Sequence, residues 1–192
     1  MPLSNTVYLI AGILFTFCFG SCKKTEEPAT NSDIYIIKSG SHSANGKGVD
    51  VSGKVLSFLV TFDSSAVYKT SIPENQEDIN KLFGFSDCDS HHHTNSARFG
   101  WRWFNSSLQI FAYCYNQGQR VDNFITSVEL NKKYLYKISL TDSEYKFELD
   151  NKSIAVPRAC SGPGVNKYFL LPYFGGDEKA PHNIIIKMEH VP

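Results

Sequence analysis

The residues best suited to chemistry lie in one stretch, from Phe83 to Phe104, which reads FGFSDCDSHHHTNSARFGWRWF. It holds three consecutive histidines, two arginines, two aspartates, a cysteine and both tryptophans of the chain. We expect a loop to about Asn95, followed by a strand. Side chains alternate across a strand, so one face should be apolar and the other should carry the arginines. The two sets are Ala97, Phe99, Trp101 and Trp103 against Arg98, Gly100 and Arg102.

Arg98 and Arg102 would therefore lie on one face of this strand. Two guanidinium groups so close together repel each other unless anions, carboxylates or aromatic rings compensate. A guanidinium matches a carboxylate through two parallel hydrogen bonds, so the pair favours a site for uronate carboxylates or another anionic group. The alternative is structural: salt bridges to a neighbouring strand, or a solvated face.

A second strand over 108–115 follows the turn residues 105–107, which predicts a hairpin. The polar and aromatic side chains on one of its faces would be Gln109, Tyr113 and Tyr115. If the two arginines share that face, the group combines stacking area with hydrogen-bonding groups, which a sugar requires. A wet sheet face covered by tyrosines is the alternative.

The loop also contains groups that ligate metals. They are Asp87, Asp89, His91, His92 and His93, with His42 and His182 elsewhere in the chain. Imidazole suits zinc, copper or nickel, and aspartates with backbone carbonyls would suit calcium. Adjacent histidines cannot all face one ion without an unusual loop, and the chain has no H-E-x-x-H or C-x-x-C pattern. We therefore expect no metal and no cofactor, and a polar surface loop.

A turn-rich segment, PYFGGDEKAPH, covers residues 172–182. Gly175-Gly176 permits a tight bend, which would bring Asp177, Glu178 and His182 to a sheet edge. His182 is a further ligand-binding candidate on this ground. Closure of the sandwich is the alternative role of the segment.

The first residues predict an export signal. Val7 to Phe19 is an apolar run that is too short to span a bilayer, which takes about 20 residues, and it is typical of a signal-peptide core. The run ends in Gly20-Ser21-Cys22, which resembles the lipobox of bacterial lipoproteins, although position 19 is Phe and no Lys or Arg precedes the run. The resemblance implies a signal peptide over 1–21 and a lipid on Cys22. An ordinary signal peptide cut nearby is the alternative.

Residues 22–32 are polar and charged, which predicts a flexible tether between the lipid and a domain over 33–192. Lys rather than Asp follows Cys22, and basic residues precede acidic ones, as in outer-membrane lipoproteins that reach the cell surface. The resemblance implies an outer-membrane lipoprotein of the cell envelope, exposed at the surface. Its membrane contact would be made by the anchor only.

The domain has no signature of a nucleic-acid or nucleotide partner. The 19 basic and 19 acidic residues of the whole chain balance and form no basic stripe, and the sequence has no P-loop. Three cysteines, Cys88, Cys114 and Cys160, allow at most one disulfide within the domain, and their spacing leaves the pairing open.

The domain is predicted to be all-β, a two-sheet antiparallel sandwich with one short helix over 73–82. The predicted strands cover 34–37, 54–62, 98–104, 108–115, 123–130, 134–140, 145–149, 153–157, 168–174 and 183–189. The 14 Phe and 10 Tyr residues suit two sheets packed face to face.

Five blocks of the domain resemble extracytoplasmic bacterial domains of undefined function that have concanavalin A-like jelly-roll sandwiches. They are SFLVTFDSSAVY (57–68), NQEDINKLFGFSD (75–87), HHTNSARFGWRW (92–103), YKFELDNKSI (145–154) and PYFGGDEKAPH (172–182). The resemblance implies a curved sheet whose concave face often holds a glycan in relatives. It implies no catalytic residues.

We therefore expect a non-catalytic module that binds a carbohydrate or similar polar ligand. One alternative is a polysaccharide lyase on the same fold, with Arg or Gln neutralising a uronate and His or Tyr moving protons. The R-[ST]-E-L and Q-[IV]-H patterns of jelly-roll alginate lyases are missing, since Gln109-Ile110 is followed by Phe111. A structural or protein-interaction domain of the envelope is the other alternative.

Overall fold

The computed structural model describes Met1 and residues 33–161 and 166–192. These residues form two antiparallel sheets, so the predicted all-β sandwich is confirmed. The predicted signal peptide (1–21), Cys22 and the tether (22–32) lie outside the described residues, apart from Met1. Within the described ranges, no helix is long and apolar enough to cross a membrane.

The strands of the described residues follow one another in chain order. They are β1 (Asp33–Ile37), β2 (Ala44–Asn45), β3 (Val55–Phe62), β4 (Asn80–Ser86), β5 (Ser96–Phe104), β6 (Ser107–Asn116), β7 (Gln119–Val128), β8 (Tyr134–Leu140), β9 (Glu144–Leu149), β10 (Lys152–Pro157), β11 (Phe169–Leu170) and β12 (Ile184–Val191). The first sheet has the order β10-β9-β8-β3-β12-β1-β2, and the second has the order β11-β4-β5-β6-β7.

Aromatic rings fill the space between the two sheets. Phe83 of the second sheet lies 4.6 Å from Phe58 of the first, measured between ring centroids. Phe99 lies 5.0 Å from Tyr136 in an edge-to-face contact. Such pairs contribute about 0.5–1.5 kcal/mol beyond the area that they bury. The high Phe and Tyr content of the chain therefore serves the core.

β5 and β6 form the predicted hairpin. Asn105 and Ser106 have φ values of 50° and 56°, as in the type I′ turns that suit two-residue hairpins. The register pairs Arg98 with Tyr113 and Arg102 with Gln109. These side chains therefore share one face, and the opposite face packs on the core. The predicted faces are confirmed: the core side carries Ala97, Phe99, Trp101, Leu108, Ile110, Ala112 and Cys114.

The helix predicted over 73–82 is too long. Only Pro73–Glu77 is helical, as a 3-10 helix, and residues 80–82 belong to β4. Residues 83–86, predicted as loop, continue β4. Leu82 and Phe83 are completely buried, and burying two large apolar side chains outweighs a weak helical propensity. A second 3-10 helix covers Ser64–Ala66. The strand predicted over 168–174 is regular only at Phe169–Leu170, and Tyr173 adds isolated bridges to Ser43 and Lys81.

Asp87 is buried where β4 ends, and its carboxylate holds several donors. Arg158 donates from Nε to Oδ2 at 2.6 Å and from Nη2 to Oδ1 at 3.2 Å, and the Tyr145 hydroxyl donates to Oδ2 at 2.8 Å. Burial alone would raise the pKa of Asp87, but these hydrogen bonds hold the pKa below its usual value. The Asp87 carboxylate is therefore engaged by Arg158 and Tyr145.

The disulfide lies one residue further along the chain. Cys88 pairs with Cys160, and Cys114 is buried as a free thiol. This settles the pairing that the spacing of the cysteines leaves open. Together with the ion pair, the disulfide fixes the start of the histidine loop (residues 87–95, between β4 and β5) against the chain that follows β10.

Replacing Asp87 with Asn should lower the free energy of unfolding by about 3–5 kcal/mol, because it leaves the Arg158 guanidinium buried without its carboxylate. Chemical denaturation of the oxidised protein measures the change. The double variant Asp87→Leu, Arg158→Met removes both charges and should lose less. A single variant as stable as the parent would contradict this account.

Candidate functional site

A β-bulge in β4 determines which side chains reach the outer face of the second sheet, the face that points away from the core. Gly84 pairs with Arg98, and Lys81 pairs with the residue two positions further along β5. Leu82 and Phe83 together oppose a single residue of β5, and both turn into the core. The bulge therefore puts Lys81 and Gly84, which an unbroken strand would place on opposite faces, on the same outer face.

A cavity of about 220 Å³ opens on this outer face, and we call it the Arg98 cavity. Its walls come from β4, β5, β6, the histidine turn that precedes β5, and the segment that follows β11. The lining residues are Lys81, His92, His93, Ser96, Arg98, Tyr113, Tyr115 and Tyr173. None of these eight residues is acidic, so the cavity is cationic and aromatic.

Arg98 forms the floor of the cavity and is 7% exposed. It lies over Gly84, where a Cβ would clash with its side chain and with the backbone of β5. Nη2 donates to the Leu171 carbonyl at 2.7 Å, whereas Nε is buried without a hydrogen-bond partner among the described residues. Burial lowers its pKa to about 10, so the group stays charged at neutral pH.

Lys81 brings a second cation to the cavity. Its Nζ lies 4.9 Å from the centroid of the Tyr113 ring. Its backbone exchanges two hydrogen bonds with Tyr173, of 2.8 and 2.9 Å. The side chain passes over Gly175, where a Cβ would overlap Nζ. Burial and the neighbouring Arg98 charge lower the pKa of Lys81 to about 8, so it remains mostly protonated at neutral pH.

Neither cation forms a salt bridge within the described chain, and Asp78 and Asp122 act on Lys81 only from beyond salt-bridge distance. The ion pairs found there involve other residues, and the most buried of them is Arg158 with Asp87. The notion that salt bridges neutralise Arg98 therefore does not hold for the described residues. A buried guanidinium beside a partly buried ammonium group favours any anion that can enter.

Tyrosines and histidines form the remaining wall. Tyr113 and Tyr115 meet edge to face with centroids 5.9 Å apart, and His93 lies 5.2 Å from Tyr115. Burial and hydrogen bonding with Tyr115 raise the pKa of Tyr113, so its hydroxyl stays protonated. Burial and the adjacent histidines lower the pKa of His92 to about 4, and burial also lowers that of His93. Both imidazoles are neutral at pH 7.

Arg102 and Gln109 share the outer face but do not line the cavity. Arg102 donates from Nε to Gln109 Oε1 at 2.8 Å and from Nη1 to the Glu77 carbonyl at 2.6 Å. Its guanidinium also lies 5.0 Å from the centroid of the Phe111 ring. The side chain of Ile79 covers the strand between the two arginines. The predicted five-residue group is therefore divided, with only Arg98, Tyr113 and Tyr115 in the cavity.

Other candidate residues lie away from the cavity. His182 has Nε2 2.8 Å from the Ser65 carbonyl and lines a separate open groove beside Trp103. Asp89 accepts the Asn166 backbone N–H at 2.6 Å. His42 stacks on the back of the cavity residue Tyr173, with centroids 5.1 Å apart.

Sequence reasoning missed Lys81, Ser96 and Tyr173. Lys81 falls inside the predicted helix, and its position depends on the bulge. The adjacent buried pair Leu82-Phe83 before a glycine is the signal that could have revealed the bulge, because two successive inward side chains break strict alternation.

No protein-family model matches the chain, and no curated protein sequence is similar to it. Solved structures do share the fold. The alginate lyase AlyC3 has a TM-score of 0.53 and 12% identity, over 82% of this chain and 72% of that one. The catalytic domain of an endo-1,3-β-glucanase (laminarinase) from Thermotoga petrophila RKU-1 has a TM-score of 0.51 and 7% identity, over 82% and 74%.

A family GH16 protein of the Bacteroides ovatus mixed-linkage glucan locus, solved with the product G4G4G3G, has a TM-score of 0.50 and 8% identity, over 85% and 81%. The chain spans 55% of the length of SCLam, another GH16 glucanase. At these identities the similarity shows the fold alone. The described domain is a concanavalin A-like jelly-roll sandwich.

Replacing Arg98 with Met should change the free energy of unfolding by less than about 1 kcal/mol. The lost hydrogen bond to Leu171 is worth about 0.5–1.5 kcal/mol, and removing a buried charge without a counter-ion offsets it. Chemical denaturation measures the difference. A loss of about 3 kcal/mol or more would make Arg98 a structural residue.

Proposed function

We propose that this protein is a lipid-anchored domain of the cell envelope that binds an acidic carbohydrate, without catalysis, in the Arg98 cavity. The observation that carries the proposal is a pair of neighbouring cations, the buried Arg98 and the partly buried Lys81, neither of which forms a salt bridge within the described residues. A charge removed from water is costly unless it is paired. A bound carboxylate or sulfate would supply the missing counter-charge, and a guanidinium matches a carboxylate bidentately.

The other lining groups support a sugar as the carrier of that charge. Tyr113, Tyr115 and Tyr173 supply flat rings with polar ends, and Ser96 adds a hydroxyl. The volume of about 220 Å³ is below the roughly 300–1,000 Å³ of pockets for drug-sized ligands. The cavity therefore suits one charged sugar residue of a longer chain. The alginate lyase AlyC3 shares this fold and is named for a polysaccharide, which is consistent with such a ligand.

The proposed anchor rests on the apolar run Val7 to Phe19 and the lipobox-like Gly20-Ser21-Cys22. An outer-membrane location, exposed at the surface, would place the cavity where it meets extracellular glycans. Cell fractionation tests the anchor: a Cys22→Ala variant should leave the membrane fraction, and a variant that stays there would contradict lipidation at Cys22.

Replacing Arg98 with Met should weaken binding of alginate oligosaccharides by about 30-fold or more, because losing one partner of a buried charge pair costs about 2 kcal/mol or more. Calorimetric titration of the purified full-length chain in detergent, after a glycan array with acidic and neutral sugars, gives the affinities. Arg102→Met is the matched control, since Arg102 lies on the same strand face outside the cavity. Equal losses of affinity in both variants would contradict a binding site in the Arg98 cavity.

The pH dependence of this binding provides a separate check. Lys81 loses its charge above its pKa of about 8, so affinity for an acidic sugar should fall as the pH rises through 8 and beyond. A bound anion favours the protonated amine and shifts the midpoint upward. Lys81→Met should bind more weakly and without this pH dependence.

A polysaccharide lyase is the second candidate, and the shared cavity of Arg98, His93 and Tyr113 favours it. The cations would neutralise a uronate carboxylate. The neutral His93 imidazole would then take the proton from the ring carbon that bears this carboxylate. The electron pair of that C–H bond would form a C=C bond as the glycosidic C–O bond breaks. The Tyr113 hydroxyl would give its proton to the leaving oxygen.

The same oligosaccharides distinguish the two functions. Ultraviolet absorbance of an unsaturated uronate that grows with time, and that His93→Gln abolishes, would identify a lyase. Binding without such product supports the non-catalytic module. Failure to bind any acidic or neutral glycan would favour the structural or protein-interaction role.

A further inference from the structure

Three consecutive histidines are gathered by one tight turn. The carbonyl of His91 accepts the backbone N–H groups of Thr94 at 2.7 Å and Asn95 at 3.2 Å. The hydroxyl of Ser96 donates to the carbonyl of His92 at 2.7 Å. This helical turn is the unusual loop that adjacent histidines need if they are to face one point.

The three imidazoles converge on the outside of this turn. Their ring centroids are 4.2, 4.4 and 5.1 Å apart. One ring nitrogen from each lies within 4.8 Å of the other two. Nitrogens on one zinc ion, at about 2.0–2.1 Å from it, are roughly 3.3 Å apart. Modest side-chain rotations would therefore close the set around one ion.

Tyr168 already orients the central ring. Its hydroxyl oxygen lies 2.9 Å from His92 Nδ1 and accepts the His92 backbone N–H at 3.0 Å. Histidines that bind metals through one ring nitrogen donate the other N–H to an oxygen, which fixes the ring. Nε2 of His92 is thus left for a ligand.

The nearby carboxylates do not join the cluster. Asp87 is held by Arg158, and Asp89 accepts the backbone N–H of Asn166. An all-imidazole set selects zinc, copper or nickel over calcium or magnesium, which prefer oxygen.

We propose that His91, His92 and His93 form a binding site for one divalent transition-metal ion of the zinc, copper and nickel type. Three protein ligands leave a fourth position open in a tetrahedral zinc site. Because His92 and His93 also line the Arg98 cavity, the site lies beside it. The proposal does not depend on the proposed carbohydrate ligand.

The test uses the full-length chain, purified without a polyhistidine tag and stripped with a chelator. Elemental analysis of the zinc-titrated protein should find one zinc ion per chain. His92→Asn and His93→Asn should each weaken binding by at least about 100-fold, since loss of an orienting partner alone costs about 10–100-fold. Tyr168→Phe removes only the hydroxyl that orients His92 and should weaken zinc binding by about 10–100-fold.

His190→Asn is the matched control, because His190 is an exposed histidine on the other sheet, in β12. It should bind zinc like the parent. Arg98→Met should bind zinc more tightly, because it removes a neighbouring positive charge. Cobalt in place of zinc should show the visible bands of a four-coordinate site. Zinc below one ion per chain, or zinc retained by a triple His91→Asn, His92→Asn, His93→Asn variant, would overturn the proposal.

Discussion

The buried ion pair between Asp87 and Arg158 is the constraint on which the described architecture depends. It ties the end of β4, in one sheet, to the chain that follows β10, in the other. The disulfide from Cys88 adds a covalent link one residue later. The loop then returns to its starting point, because the backbone N–H of Asp87 donates to the Asn95 carbonyl at 2.9 Å. These links hold the histidine turn and the start of β5 in place without a ligand.

The outer face shows the opposite treatment of charge. In the Asp87–Arg158 pair, the buried guanidinium has a carboxylate partner, and this ion pair stabilises the fold. In the Arg98 cavity, Arg98 and Lys81 share a small volume and form no salt bridge with any described residue, and two glycines make room for their side chains. A protein that only needed a stable sandwich would gain by pairing or removing these charges. Their arrangement is readily explained if a ligand completes it.

Alternation along β5 and β6 predicted the core face, the outer face and the hairpin from sequence, because a strand has a strict period of two. The same rule fails at β4, where a bulge inserts one residue and brings Lys81 to the outer face. Helix-start residues at Pro73 predicted too long a helix, since local propensity yields to the burial of Leu82 and Phe83. The separation of Arg102 from Arg98 could not be predicted either, because it depends on Ile79, which comes from another part of the chain.

The position of the free thiol bears on how the disulfide is made. Three cysteines offer two wrong pairings besides the native one, and the native partners are 72 residues apart. Cys114 lies on the core face of β6, where the packing of the two sheets buries it completely. Hairpins form in about 1–10 μs, whereas disulfides form over seconds to hours. Small domains complete their folding in microseconds to seconds, so packing of the sheets withdraws the competing sulfur before most of the oxidation takes place. Maturation of this domain thus calls for an oxidant and makes little demand on a disulfide isomerase.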